Sequence, residues 1–144
     1  MAPAEAFETV FDYIPAARHG RILCLAGQIP KTGPQTILHT GRVGEAVDLE
    51  QARQSATVAA EQALAWLGRE AGGLSRVERI LRVTVYVAVA DDFEAISQVA
   101  DAASGTFSRA LGEEGRHPRS VIGVARLPRN APVLLEVTAV LTGD

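Results

Sequence analysis

Three basic side chains stand close together near the end of the chain, in the stretch GRHPRS: Arg116, His117 and Arg119. Pro118 stiffens the loop immediately before Arg119, where an apolar strand pattern begins. A guanidinium held in this way can bind a carboxylate through two parallel hydrogen bonds. The sequence therefore predicts a site for a small anionic ligand at Arg119, with a solvated surface loop as the alternative.

Two side chains near this stretch could take part in proton transfer. His117 can act as an acid or a base near neutral pH, but the sequence identifies no partner that would orient it, and a structural histidine is the alternative. Glu136 stands among apolar residues of the last predicted strand, so its charge needs a partner if that strand is buried. An arginine of the neighbouring strand is the expected partner, in a structural ion pair or in a site.

The remaining candidate residues are the two tyrosines and two residues of the apolar strand predicted at 21–30. Tyr13 lies just before Pro15 and is expected at the edge of a cleft, whereas Tyr86 is expected to pack against a helix or a neighbouring molecule. Gly27 ends an apolar strand, and its missing side chain would let a ligand approach the backbone N–H groups. Cys24, on that same strand, is interpreted as an inert core thiol.

Composition excludes several classes of function. The formal net charge is −3, so the chain lacks the excess of basic residues expected of a nucleic-acid binder. Because Cys24 is the only cysteine, neither an intramolecular disulfide nor a cysteine-based metal cluster can form. His19, His39 and His117 lack metal-ligand spacing, and no glycine-rich stretch has the spacing of a phosphate loop. Lys31 is the single lysine, and its place in a loop rich in glycine and proline makes it a poor candidate for a Schiff base. With neither metal ligands nor a phosphate loop, no cofactor is expected.

The length and apolar content predict one domain that spans residues 1–144. At 144 residues and 47% apolar composition, the chain can bury one core of ordinary size. The first ten residues do not resemble a signal peptide, and no apolar run is long enough to span a membrane. The expectation is a soluble, cytoplasmic protein with no membrane partner.

Capping signals predict two helices. Asp48 with Gln51 three residues later forms a capping box before an apolar periodic stretch, which ends at Gly72. A second capping box, Asp91 with Glu94, predicts the start of another helix that ends at the glycines preceding GRHPRS.

Alternating or continuous apolar runs predict the strands, which cover residues 7–15, 21–30, 77–89, 119–127 and 133–141, with a short strand near 37–39. The last two are expected to form a hairpin through PRNAP. The order β-β-(β)-α-β-α-β-β predicts an α+β fold in which two helices cover one face of a mixed sheet. Because the last strand is apolar on both sides, the opposite face is expected to meet another subunit.

Three motifs together resemble the Rid family, the reactive intermediate deaminases, also called the YjgF-like or L-PSP endoribonuclease family: LAGQIP, HPRSVIGVARLP and PVLLEVTAV. The resemblance runs from about Tyr13 to Leu141, and GRVGEAVDLEQAR and GEEGRHPRSVIGVA look like a longer branch of the family. It implies a chorismate-mutase-like fold and a homotrimer with clefts between subunits. It also implies that Arg119 grips the carboxylate of a 2-imino or 2-enamino acid, which water hydrolyses to a 2-keto acid and ammonia. Residues matching Tyr13 and Gly27 line the cleft in the family.

Departures from the family pattern leave three functions open. Leu134 replaces the first of two family glutamates, the one credited with positioning the water, and only the second is kept, as Glu136. For Glu136 to take over that role, it would have to act from about 7 Å further along the strand. Ala26 and Val121 replace a serine and a cysteine of the pattern. The first hypothesis is an imine or enamine deaminase; Leu134 favours a non-catalytic binding or regulatory trimer; a ribonuclease is opposed by the acidic balance and by the lack of aromatic stacking platforms.

Overall fold

The computed structural model describes residues 5–143 and contains two helices and seven strands within that range. The strands are β1 Ala16–His19, β2 Ile22–Leu25, β3 Lys31–Gly33, β4 Thr36–Ile37, β5 Val77–Ala88, β6 Arg119–Val124 and β7 Val133–Leu141, and the helices are α1 Leu49–Ala71 and α2 Ile96–Leu111. The predicted α+β architecture, with two helices against one face of a mixed sheet, is confirmed, and it is the chorismate-mutase-like fold.

The main sheet has the strand order β1-β2-β7-β5-β6, and β3 pairs only with β4. β6 runs parallel to β5, while β7 runs antiparallel to it. The predicted hairpin between the last two strands is wrong because β5 lies between them. Parallel strands need a long crossover connection, and α2 supplies it between β5 and β6. β6 therefore becomes an edge strand.

One face of the sheet forms the core with both helices. Its side chains alternate along β5 and β7 and are buried: Val83, Val85, Val87, Val133, Leu135 and Val137. α1 adds a row of fully buried alanines, whose small side chains let the helix pack closely: Ala52, Ala56, Ala59, Ala60 and Ala63. Leu81 shares the alternating spacing of the buried valines of β5, which predicts that it lies on the same face, but it is 36% exposed. The register shift between Ile80 and Arg82 moves it out of the alternation.

The first helix begins and ends as predicted, and the second does not. Asp48 Oδ1 accepts a hydrogen bond from the Gln51 N–H at 2.8 Å, the Gln51 side chain accepts one from the Asp48 N–H, and Gly72 terminates α1 with φ at 84°. The capping box predicted at residues 91–94 is wrong, since α2 begins at Ile96 without a side-chain cap. A turn precedes it, in which the Phe93 N–H donates to the Ala90 carbonyl at 3.1 Å.

Residues 5–15 do not form the predicted strand at 7–15. They cross α1 instead, where the Gln62 side chain donates to the Glu5 carbonyl at 2.6 Å and accepts from the Phe7 N–H at 3.4 Å. The first strand pairing starts at Ala16, in the stretch that was predicted to be a loop. The segment thus packs on the helix rather than extending the sheet.

The other face of the sheet, called the outer face below, is not covered by the two helices. It carries Ile22 and Cys24 of β2, Thr84 and Tyr86 of β5, Ser120 and Ile122 of β6, and Leu134, Glu136, Thr138 and Val140 of β7. Ile22 is 38% and Ile122 43% exposed. Cys24 is exposed as well, so its interpretation as a core thiol is wrong. Within residues 5–143, no helix has the length and apolar character needed to cross a membrane.

Candidate functional site

Arg119 is the first residue of β6 and stands opposite Val83 in the parallel ladder, so its side chain lies on the helix-covered face. Its Nη1 donates to Asp101 Oδ1 at 2.9 Å and to Ser104 Oγ at 3.1 Å, both on α2. The Val83 N–H donates to the Pro118 carbonyl at 3.1 Å and ties the preceding loop to β5. The predicted ligand-binding arginine is therefore fixed by a strand, a loop and a helix, with its side chain 22% exposed.

His117 has two orienting partners that sequence reasoning could not identify. Its Nδ1 lies 2.6 Å from the Gly115 carbonyl oxygen and its Nε2 lies 2.9 Å from Ser104 Oγ. The ring also meets Phe107 edge-on, with centroids 5.6 Å apart. Burial lowers the pKa of His117 and the positive charge of Arg119 acts in the same direction, while the hydrogen bond to Gly115 opposes them.

Gly115 is a glycine because α2 leaves no room for a side chain. A β-carbon built there would lie 2.3 Å from the Phe107 carbonyl oxygen. This close approach folds the turn at residues 112–115 back onto the helix and brings the Gly115 carbonyl to His117. The next residue, Arg116, is exposed; it forms an ion pair with Glu113 at 3.7 Å, and its carbonyl accepts a hydrogen bond from Arg79 at 3.1 Å.

A cavity of about 330 Å³, called the α2–β6 cavity below, lies over these groups. Its lining consists of Ser104, Gly105, Ser108, Arg116, His117 and Arg119. Two guanidinium groups, two hydroxyls and an imidazole thus face one space. Such a set can bind an anion and can exchange a proton with it.

A larger cavity of about 520 Å³, called the N-terminal cavity below, lies between residues 7–15 and the end of β2. Its lining includes Tyr13, Gly27 and Leu134. A β-carbon built on Gly27 would lie 2.8 Å from Leu134 Cδ2, so the leucine closes over the glycine. Phe7, Phe11 and Trp66 add further apolar wall.

The described residues that line the N-terminal cavity include two cations, Lys31 and Arg129, and no carboxylate. Burial lowers the pKa of Lys31, and the charge of Arg129 lowers it further. Arg129 holds a left-handed backbone conformation at φ 58°, and its Nη2 donates to the Gln35 carbonyl at 2.8 Å. The sequence gives no sign of this role for either residue, because Lys31 stands in a loop rich in glycine and proline and Arg129 in the predicted turn PRNAP.

Glu136 lies on the outer face and is exposed. Its Oε1 accepts a hydrogen bond from the Tyr86 hydroxyl at 2.7 Å, and this bond raises the pKa of Tyr86. The arginine partner predicted for Glu136 is therefore wrong, because Arg82 donates to Ser120 Oγ at 2.6 Å instead. Tyr86 lies on the outer face as well. Of the two alternatives predicted for it, packing against a helix is therefore wrong.

The predicted site residues fall into three separate places in one chain. Arg119 and His117 line the α2–β6 cavity, Tyr13 and Gly27 line the N-terminal cavity, and Glu136 lies on the outer face. Ser104, which links His117 to Arg119, escaped prediction because nothing in its helical spacing shows that β6 passes beside α2. Among residues 5–143, no three His, Cys, Asp or Glu side chains are grouped so that they could hold a metal ion.

Residues 3–141 match the family described as Endoribonuclease L-PSP. The protein TCP17 of Trypanosoma cruzi is 33% identical over 123 residues, which are 85% of this chain and 76% of the relative. A crystal structure of an Agrobacterium tumefaciens protein of unknown function is 33% identical, covers 90% of this chain and 82% of its own, and has a TM-score of 0.86. A putative endoribonuclease from Shewanella oneidensis is 26% identical, with 98% and 93% coverage and a TM-score of 0.92.

Proposed function

This chain belongs to the Endoribonuclease L-PSP family, the Rid family, and on that premise we propose that it binds a small 2-imino or 2-keto carboxylate through Arg119 and hydrolyses 2-imino acids to 2-keto acids and ammonia. The ligand occupies a cleft between subunits of a homotrimer. The formal net charge of −3 argues against RNA as the substrate, although the family description names an endoribonuclease.

The observation that carries the proposal is the way Arg119 is held. Within residues 5–143, its hydrogen bonds all use Nη1, which donates to Asp101 and Ser104. Nε and Nη2 therefore remain as a parallel pair of donors, the arrangement that binds a carboxylate with two bonds. Since the guanidinium is already oriented, less side-chain entropy is lost when the ligand binds.

The separation of the predicted site residues within one chain supports a ligand-binding cleft between subunits. Arg119 starts the edge strand β6, whereas Tyr13 and Gly27 line a cavity to which Arg119 does not contribute. An arginine on an edge strand can reach a neighbouring molecule, and the exposed isoleucines of the outer face, Ile22 and Ile122, favour burial against one. In the proposed trimer, Arg119 of one subunit completes the N-terminal cavity of the next.

The lining of the N-terminal cavity fits the rest of such a ligand. Its apolar wall suits a hydrocarbon side chain, and Lys31 and Arg129 favour a negatively charged occupant. Leu134, however, favours the second candidate, a trimer that binds carboxylates without converting them, because none of the described residues that line the cavity has a carboxylate to hold the attacking water.

Ammonia release from 2-imino acids, generated in place by an amino-acid oxidase, tests the proposal. Release should exceed the buffer rate and should return to it in Arg119→Ala, while Arg18→Ala is the control because Arg18 lies on β1, the opposite edge of the sheet. Calorimetry with 2-oxobutanoate separates binding from chemistry. Loss of one charge-assisted contact of about 1.5 to 3 kcal/mol should weaken binding about tenfold to a hundredfold.

Three results decide between the candidates. Binding that depends on Arg119 without ammonia release identifies the non-catalytic trimer. Binding that is unchanged in Arg119→Ala removes Arg119 as the carboxylate clamp. The assembly has its own measurement, since light scattering should give a trimer mass that falls in Ile122→Glu; a monomeric wild type would remove a cleft between subunits altogether.

A further inference from the structure

Ser104, His117 and Arg119 form a continuous chain of hydrogen bonds at the wall of the α2–β6 cavity. Ser104 Oγ lies 2.9 Å from His117 Nε2 and 3.1 Å from Arg119 Nη1. His117 Nδ1 lies 2.6 Å from the Gly115 carbonyl oxygen. A hydroxyl is thus placed between an imidazole and the guanidinium that is proposed to hold the ligand.

The Gly115 contact fixes the direction of every proton in this chain. A backbone carbonyl can only accept, so Nδ1 carries the hydrogen and Nε2 of the neutral ring is an acceptor. Ser104 must then donate its hydroxyl hydrogen to Nε2. Since the guanidinium can only donate, Ser104 Oγ accepts from Arg119. One lone pair of Oγ remains for a ligand or a water molecule in the cavity.

The surroundings of His117 keep this ring neutral. Burial and the charge of Arg119 lower its pKa below the ordinary 6.5. The charged groups around it are Arg119 with its partner Asp101 on α2, Arg116 with its partner Glu113, and Arg79 of β5, which binds the Arg116 carbonyl. At neutral pH the imidazole is therefore free to accept a proton.

We infer that Ser104 and His117 are the proton-accepting pair of the proposed hydrolysis and replace the carboxylate that Leu134 lacks. This inference rests on the proposed function. Both side chains line the cavity that Arg119 also lines, so a ligand whose carboxylate binds Arg119 lies beside Ser104. Arg119 and Glu136, in contrast, project to opposite faces of the sheet.

The step balances without any further reactant. A water oxygen attacks the imine carbon, and the electron pair of the C=N bond moves to nitrogen. The water gives one proton to Ser104 Oγ as Ser104 passes its own to His117 Nε2. The imidazolium returns this proton through Ser104 to the nitrogen and completes a neutral carbinolamine. The carbinolamine hydroxyl then gives its proton to the nitrogen by the same route. The C–N bond breaks with its electron pair on nitrogen as the C=O bond forms, and a 2-keto acid and ammonia result.

Ammonia release as a function of pH, measured for His117→Gln, Ser104→Ala and Ser104→Thr, tests the inference. The first two should lower the turnover rate about a hundredfold or more, while 2-oxobutanoate binding by calorimetry changes less than about threefold. Ser104→Thr keeps the hydroxyl and should keep most of the rate. His39→Gln is the matched control, since the His39 ring makes one hydrogen bond among the described residues, to Gln54 on α1 at 3.1 Å.

The pH profile gives a readout that a merely structural histidine would not affect. The wild-type rate should fall as pH drops through the lowered pKa of His117, because the protonated ring cannot accept. That decline should be absent from the small residual rate of His117→Gln. Circular dichroism and thermal melting identify any variant that fails to fold. If His117→Gln does not fold, the test is made with Ser104→Ala.

The outcomes separate the inference from the proposed function. Wild-type rates and pH profiles in both His117→Gln and Ser104→Ala would overturn the pair and leave the deaminase intact. Carboxylate binding without any ammonia release in the wild type would overturn both the pair and the hydrolysis, and would leave the binding trimer. A selective loss of turnover, with binding retained, supports the pair.

Discussion

Asp101 Oδ1 lies 2.9 Å from Arg119 Nη1, and this ion pair joins the polar side of α2 to the first residue of β6. Asp101 is 63% exposed and Arg119 only 22%, so the aspartate reaches in from the solvent side to the guanidinium. The pair orients Arg119 and at the same time partly neutralises the charge that a carboxylate ligand would meet. Orientation of the guanidinium strengthens the binding of a carboxylate, and neutralisation of its charge weakens it.

Asp101→Asn should strengthen the binding of 2-oxobutanoate up to about fivefold, because an exposed ion pair is worth up to about 1 kcal/mol. Ser104 remains to hold the guanidinium in place. Calorimetry at low salt measures the change, and Asp92→Asn, in the exposed turn before α2, is the control. Weaker binding in Asp101→Asn would mean that orientation outweighs neutralisation.

Leu134→Glu should raise ammonia release about tenfold or more, because a carboxylate in the N-terminal cavity adds a second general base. Lys31 and Arg129 would stabilise the new charge. The variant should also restore turnover to His117→Gln. Leu134→Gln, of similar size but without the charge, is the matched control; an equal gain in both would trace the effect to the space over Gly27 rather than to the base.

The Tyr86 hydroxyl should ionise above its ordinary pKa of 10.0, because the hydrogen bond to Glu136 favours the protonated form. The chain has only two tyrosines, so Tyr13→Phe leaves Tyr86 as the single phenol to follow by ultraviolet titration. Glu136→Gln in that background should lower the midpoint. A midpoint that does not move would show that the two side chains do not pair in solution.

Features that depend on neighbouring residues in the sequence were predictable. Asp48, Gln51 and Gly72 delimit α1 through local capping bonds, and the alternation of apolar residues located β7 at its observed bounds. The role of Arg119 as a fixed cation also followed from its place between Pro118 and a strand. In each case the physical cause lies within a few residues of the feature.

Features that depend on the order of strands were not predictable. The sequence places β6 and β7 next to each other, but β5 separates them, and only this order brings β6 beside α2. The link from His117 through Ser104 to Arg119 therefore could not be read from spacing. The outward turn of Leu81 likewise follows from a register shift in the pairing with β7, which no pattern within β5 reveals.

The stability of the protein should fall as pH drops below about 6.5, the ordinary pKa of histidine, in part because of His117. Its pKa is lowered in the folded state, so between the two values the unfolded chain takes up a proton that the folded chain refuses. Above both values, the ring is neutral in either state and this loss disappears. Below both, the loss no longer grows.

His117→Gln should therefore flatten the dependence of the free energy of unfolding on pH over this window. Urea denaturation followed by the fluorescence of Trp66, the only tryptophan, measures it at several pH values. The variant should be less stable than the wild type at pH 8, because it lacks the imidazole contacts to Ser104 and Gly115, and the two curves should converge toward acid pH. Curves that stay parallel would mean that the folded and unfolded states protonate His117 alike, and the buried neutral imidazole required for proton transfer would be absent.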